Sequence, residues 1–143
     1  MSEIDTSLRF RPLWLAVGWA LVGSILWLSL VPHPPEPFEF RFADKVEHFA
    51  AYLVLMGWFV QLYARASVRR GYALGFLAMG VAIEFLQAPE PTRAFEWTDM
   101  LADGLGIGAA LVLARTPLQH SLRWFEIRIM RVPAGAESRT DIR

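Results

Sequence analysis

The stretch LWLAVGWALVGSILWLSLV runs from Leu13 to Val31 without one charged residue. At about 1.5 Å of rise per residue such a helix approaches the roughly 30 Å of a bilayer's hydrocarbon core. The run exceeds the roughly 7 to 15 apolar residues of a cleavable leader, and no small-x-small cleavage pattern follows it, so it reads as a membrane span. Pro32, Pro34, Pro35 and Pro37 follow instead. They end the helix and open an extended connection, because proline lacks an amide donor and restricts the residue before it.

Working outward, three further apolar stretches run from His48 to Ala64, Gly71 to Gln87 and Thr98 to Ala114. Each is close to the lower limit for a span. Arg65, Arg69 and Arg70 separate the first two of these, and Pro89 and Pro91 separate the last two. The pattern predicts an all-α membrane protein, a four-transmembrane-helix bundle. The composition agrees: 55% of the 143 residues are apolar and six are tryptophan, too greasy for an ordinary soluble domain of this length. Trp14, Trp19, Trp27, Trp58 and Trp97 fit interfacial belts or packing between spans.

Formal charge sums to zero, which gives no support to a nucleic-acid partner, and the absence of cysteine excludes disulfides, thiolate metal sites and a cysteine nucleophile. The placement of the charges sets orientation. Arg9 and Arg11, then Arg65, Arg69 and Arg70, then Arg115, Arg123, Arg128 and Arg131 fall on one side of the predicted spans. The other side has Arg41, Lys45 and Arg93, diluted by Glu36, Glu39, Asp44, Glu47, Glu90 and Glu96. The positive-inside bias therefore predicts cytoplasmic N and C termini. The expected organisation is a cytoplasmic segment 1–12, a membrane domain 13–114, an amphipathic interfacial helix 115–132 and a disordered tail 133–143. In the interfacial helix Leu118, Leu122, Phe125 and Ile129 form an apolar stripe interleaved with arginines, suited to lying on anionic lipid.

This topology brings three polar clusters to the outer face: Asp44, Lys45, Glu47 and His48; Glu84 and Gln87; Asp99 and Asp103. Helical spacing puts Asp44 with His48, Glu84 with Gln87, and Asp99 with Asp103 on shared faces. An ionisable group at membrane depth costs about 3 kcal/mol at the centre and less near the interface, so these side chains are expected to face the bundle interior. Bland roles compete at each position. Asp44 and Glu47 fit a capping box, Glu84 or Asp99 can pair with Arg93 as structural glue, and Gln87 can simply tie helices together. His48 among carboxylates has a shiftable proton affinity and is a candidate acid or base, with Glu84 as its catalytic partner. Lys45, Arg93, Gln87, Asp44, Asp99 and Asp103 are candidate ligand-binding residues. The amino ends of the second and fourth spans favour an anion there, whereas the carboxylates favour a cationic or sugar-bearing ligand. A metal held by Asp44, His48, Glu84 and Asp99 is a variant of the acid–base reading, since oxygen-rich sites with one histidine exist, but no HExxH-type spacing supports it, and neither a metal nor a cofactor is expected. The run Gly104-Leu-Gly-Ile-Gly108 lacks a preceding strand and reads as close helix packing, as do Gly71, Gly75 and Gly80.

These clusters resemble the VanZ-like family of small membrane proteins. The likeness is carried by Ser29-Leu-Val-Pro32, Asp44-Lys-Val-Glu-His-Phe-Ala-Ala-Tyr52, Glu84-Phe-Leu-Gln87 and the segment from Arg93 through Asp99 to Gly106. It spans roughly Leu13 to Ala114. Relatives commonly carry asparagine where this chain has Asp103. The resemblance implies a multi-pass protein of the bacterial cytoplasmic membrane, associated with glycopeptide-type antibiotic resistance. Its expected partners are membrane lipids and a lipid-linked envelope precursor. The expected function is binding of a lipid or cell-wall-precursor head group in an outward pocket. Two alternatives stand beside it: an intramembrane enzyme using His48 and Glu84 on an outer-leaflet lipid or glycan, and a structural scaffold acting through a partner protein.

Overall fold

The structure, a computed structural model, describes residues 8–31, 42–87 and 96–131. Within them the chain is all-helical: α1 (Arg11–Leu30), α2 (Ala43–Leu62), α3 (Ala66–Gln87), α4 (Trp97–Leu113), a 3-10 turn (Pro117–His120) and α5 (Ser121–Arg128). Arg93, the proline-rich connections and the tail 133–143 lie outside the described residues.

Local chemistry sets the helix boundaries. Pro12 sits in the first turn of α1, where its missing amide leaves no hydrogen bond unmade. Between α2 and α3 the guanidinium of Arg69 donates to the carbonyls of Val60 (2.8 Å) and Tyr63 (2.5 Å), placing a cation on the negative end of α2. After α4, the Thr116 hydroxyl donates to Leu113 O (2.7 Å) and accepts from Leu118 N (3.3 Å). Pro117 cannot continue the ladder, and the chain bends by 83° into the 3-10 turn and α5.

Cross-helix pairings give the directions. Lys45 meets Asp99, and one turn further along both helices His48 meets Asp103, so α2 and α4 run parallel. Ser29 O accepts from the Gln87 amide at 2.6 Å, which aligns the far ends of α1 and α3. Trp58 Nε1 donates to Trp14 O at 2.9 Å, so α1 runs against α2. The amino ends of α2 and α4 therefore share one end of the bundle with the carboxyl ends of α1 and α3.

The α2–α4 contact is the most extensive in the fold. Ala102, Gly106 and Ala110, spaced four residues apart and all buried, form a small-residue stripe that admits α2 closely. The core gathers around α2, where Tyr52, Leu55, Met56, Phe59 and Val60 pack with Val22, Phe76 and Ile107. Large apolar side chains also cover the outside: Trp19 and Trp27 on α1, Val54 on α2, Leu74 and Phe85 on α3, Leu101, Leu105 and Val112 on α4 are all exposed.

Among the described residues, only α1 is by itself long and apolar enough to cross a membrane; a second candidate exists if α4 and the bent Pro117–Arg128 segment count as one span. The other helices differ for identifiable reasons. Asp44, Lys45 and Glu47 open α2, α3 contains Arg69, Arg70 and Glu84, and α4 is 17 residues long.

The carboxyl-terminal helix departs from a simple amphipathic stripe. Leu118, Phe125 and Ile129 are exposed as an interfacial face requires, but Leu122 is buried and so is Glu126, at 1% exposure. The Glu126 carboxylate accepts hydrogen bonds from Arg9 N (2.9 Å), Phe10 N (2.9 Å) and Trp14 Nε1 (2.7 Å). It places a negative group on the positive start of α1 and clasps the two ends of the described chain together. Trp14 is thus a buried hydrogen-bond donor and not a belt residue. Exchanging Glu126 for glutamine keeps the shape but turns one acceptor into a donor facing donors. The expected loss is about 2 kcal/mol, the value of charge-assisted bonds, read as a lower denaturation midpoint in detergent with helix content unchanged.

Candidate functional site

The end of the bundle shared by the starts of α2 and α4 and the finish of α3 collects Asp44, Lys45, His48, Glu84, Glu96, Asp99 and Asp103. Lys45 Nζ lies 2.8 Å from Asp44 Oδ2 and in direct contact with the carboxylates of Glu96 and Asp99. The ammonium is thus saturated by carboxylates from two helices and the residue preceding α4. The anion-holding role expected of Lys45 is not supported by this arrangement, because an incoming phosphate would have to displace carboxylates already at hydrogen-bond range. Glu96 was no candidate in the sequence. The Lys45 ammonium hydrogen-bonded to it holds its carboxyl below the usual glutamate range.

One turn further along α2, His48 Nδ1 lies 2.9 Å from Asp103 Oδ1. Asp103 is 1% exposed and fixes the imidazole, so Nε2 turns toward the exposed Asp44, whose Oδ1 is 3.8 Å away. The predicted sharing of a face by Asp44 and His48 is realised. The carboxylate at hydrogen-bond distance from His48 is that of Asp103. Glu84 is buried at 3% exposure, and its Oε2 accepts from Glu96 N at 3.2 Å, so it steadies the backbone at the start of α4.

Asp44 also lacks the capping role. Phe42 is the N-cap residue of α2 and its side chain makes no cap hydrogen bond, while the Asp44 carboxylate faces Lys45 and His48. Gln87 is not drawn into the carboxylate cluster; its amide is the tie between α3 and α1 described above. Arg93, the remaining candidate, lies outside the described residues.

Three groups here have metal-compatible spacing: Asp44, His48 and Asp99 each offer a ligand atom, all within 4.8 Å of one another. The Asp103–His48 bond even provides the second carboxylate that ligating histidines use. A cation in that position would compete with Lys45 for the same oxygens of Asp44 and Asp99. With acidic groups in excess over Lys45 and His48, the site favours positively charged or hydrogen-bond-donating groups.

Beneath this layer α3 comes close. A Cβ on Gly80 would overlap Asp103 Oδ2 and stand 3.0 Å from Tyr52 Oη. At Gly80 an added methyl would force Asp103 to shift, a close approach that helical spacing does not distinguish from Gly71 or Gly75, which have open space around them.

Comparisons with family models, with curated proteins and with solved structures find no match to this chain.

Proposed function

We propose that this chain is a VanZ-like, four-span protein of the bacterial cytoplasmic membrane, with cytoplasmic termini and an outward-facing polar site that binds a lipid or cell-wall-precursor head group. The observation that carries this reading is the convergence of Asp44, Lys45, His48, Glu84, Asp99 and Asp103 from three helices at one end of the bundle. Burying such groups disfavours folding unless they are paired or used. The apolar side chains on the outer faces of α1 to α4 support a lipid surround, since contiguous exposed apolar surface is uncommon on soluble monomers. The arginines Arg65, Arg69 and Arg70 lie at the opposite end, which supports the orientation.

Because Lys45 is enclosed by carboxylates, the head group binds through amine or hydroxyl groups and not through phosphate alone. Mass spectrometry of lipid copurifying with the detergent-solubilised chain is expected to show one head-group class enriched over bulk membrane, and Asp99→Asn to reduce its retention about tenfold. Retention equal to bulk lipid in the parent, or unchanged in the variant, would refute the binding reading.

A second reading follows from one distance. Asp103 at 2.9 Å orients His48 with Nε2 toward the open end, the geometry of a general base held by a carboxylate. In that case the protein performs acid–base chemistry on an outer-leaflet lipid or glycan. A mass change in copurified lipid on incubation, abolished by His48→Gln, is its signature.

A further inference from the structure

Between α1 and α3 an apolar groove of about 510 Å³ runs along the outside of the bundle. Buried Val22 and Phe76 form its floor. Its sides are Tyr72 and Trp19, whose ring stands edge-on to Phe59 with centres 5.7 Å apart. The groove is open because Gly71 and Gly75, one turn apart on α3, carry no side chain; an added Cβ at either meets nothing within 4 Å. It extends from Val68 to Met79, roughly 16 Å at 1.5 Å of rise per residue, so its cross-section averages roughly 30 Å². A helix about 10 Å across does not enter such a space. A single extended hydrocarbon chain, whose carbons keep about 4 Å from their neighbours, does.

We infer that this groove seats one acyl chain of an anionic phospholipid from the leaflet at the arginine-rich end, with the lipid phosphate at Arg11. The inference rests on the membrane-protein reading and adds a second lipid site at the end opposite the carboxylate cluster. Val68 lies in the first turn of α3, so the groove begins at that end. Arg11, Leu15 and Trp19 recur at intervals of four, which puts Arg11 on the groove face of α1, two turns before Trp19. The Arg11 guanidinium lies 5.1 Å from the centre of the Tyr63 ring, and the Tyr63 hydroxyl accepts from that of Tyr72, the groove wall, at 3.0 Å. No carboxylate pairs with Arg11 among the described residues. The same end carries Arg9, Arg65, Arg69, Arg70 and Arg115 against one acidic group among the described residues, Glu126, which already accepts from three donors. Charge at the mouth thus selects an anionic head and the apolar floor selects its tail, the pattern of basic lipid pockets between membrane helices.

The test uses the full chain in mild detergent and native mass spectrometry with two probes of equal acyl chains, phosphatidylglycerol and phosphatidylethanolamine. The parent is expected to retain phosphatidylglycerol about fivefold more strongly, the value of one arginine at a membrane surface. Gly75→Leu fills the groove and is expected to weaken phosphatidylglycerol about tenfold, as for two methylenes of the chain displaced. Its melting temperature should hold or rise, because a helix favours leucine over glycine. Gly71→Leu, one turn away, is expected to reproduce both results. Gly23→Leu adds the same bulk at an equally open glycine outside the groove and leaves retention within twofold. Arg11→Gln is expected to bring phosphatidylglycerol down to the level of phosphatidylethanolamine. Unchanged retention in the two α3 variants, or loss confined to a variant that melts lower than the parent, would overturn the groove. A preference for phosphatidylglycerol that survives Arg11→Gln would overturn the phosphate contact. A parent dimer that Gly75→Leu disperses, with lipid retention unchanged, would give the groove to a second copy and overturn the inference as well. A parent that retains phosphatidylethanolamine alone defeats the groove and spares the membrane reading, whereas a parent that is monodisperse without detergent and retains neither lipid defeats both.

Discussion

Asp103→Ala is expected to destabilise the protein by about 3 kcal/mol, the lower end of the cost of removing one member of a buried polar pair. The side chain is almost wholly enclosed, its Oδ1 is 2.9 Å from His48 Nδ1, and its Oδ2 faces Gly80 and Tyr52. Alanine leaves the imidazole without its orienting acceptor and opens a gap between three helices. Asparagine keeps the shape and one carbonyl acceptor for the histidine N–H, so Asp103→Asn is expected to lose only about 1 kcal/mol, one ordinary hydrogen bond. Denaturant unfolding in detergent, followed by tryptophan fluorescence, separates the two. Equal midpoints for alanine and parent would show that the His48–Asp103 pair contributes nothing to assembly.

Gly106→Leu carries the other large effect. A Cβ at this position overlaps the carbonyl oxygen of Phe49 and lies 3.0 Å from Leu53 N. Both obstacles are backbone atoms of α2, held in its hydrogen-bond ladder, so they cannot turn aside as a flexible side chain would. The two helices must separate, which disturbs the layer above, where Lys45 meets Asp99 and His48 meets Asp103. Overpacking typically costs 1 to 3 kcal/mol. For leucine against backbone the expected loss is about 3 kcal/mol or more, seen as failure to give a monodisperse, cooperatively melting protein. Gly108→Ala is the control. An added Cβ there meets nothing within 4 Å, and alanine is favoured over glycine in a helix interior by up to about 1 kcal/mol. The expected order of stability is Gly108→Ala at or above parent, with Gly106→Leu far below. A Gly106→Leu protein melting like the parent would contradict the parallel close packing of α2 and α4.

The two effects are linked through function. The small-residue stripe of α4 sets the separation of α2 and α4, and that separation brings Asp99 to Lys45 and Asp103 to His48. A site built across two helices depends on their spacing as much as on its own side chains. On the other face, Gly80 lets α3 reach the same depth. Packing at Gly80 and Gly106 is thus part of the head-group site proposed for this protein.

The amino-acid sequence alone determined the helices and their polar ends. An uncharged run from Leu13 to Val31, prolines between apolar stretches and carboxylates at stretch termini are local features, and period 3.6 tells which residues share a face. Asp44 with His48 followed from that spacing. Only the tertiary structure decided which face meets which partner, because helix rotation and separation arise from packing among residues some 50 positions apart. Hence Asp103 holds His48, Lys45 is surrounded by carboxylates, and Gly80, unlike Gly71 and Gly75, stands against the Asp103 and Tyr52 side chains. Glu126 illustrates the same division. Its place four residues after Leu122 marks a shared helical face, but its burial against Trp14 required the bend after Thr116 that returns α5 to the start of α1.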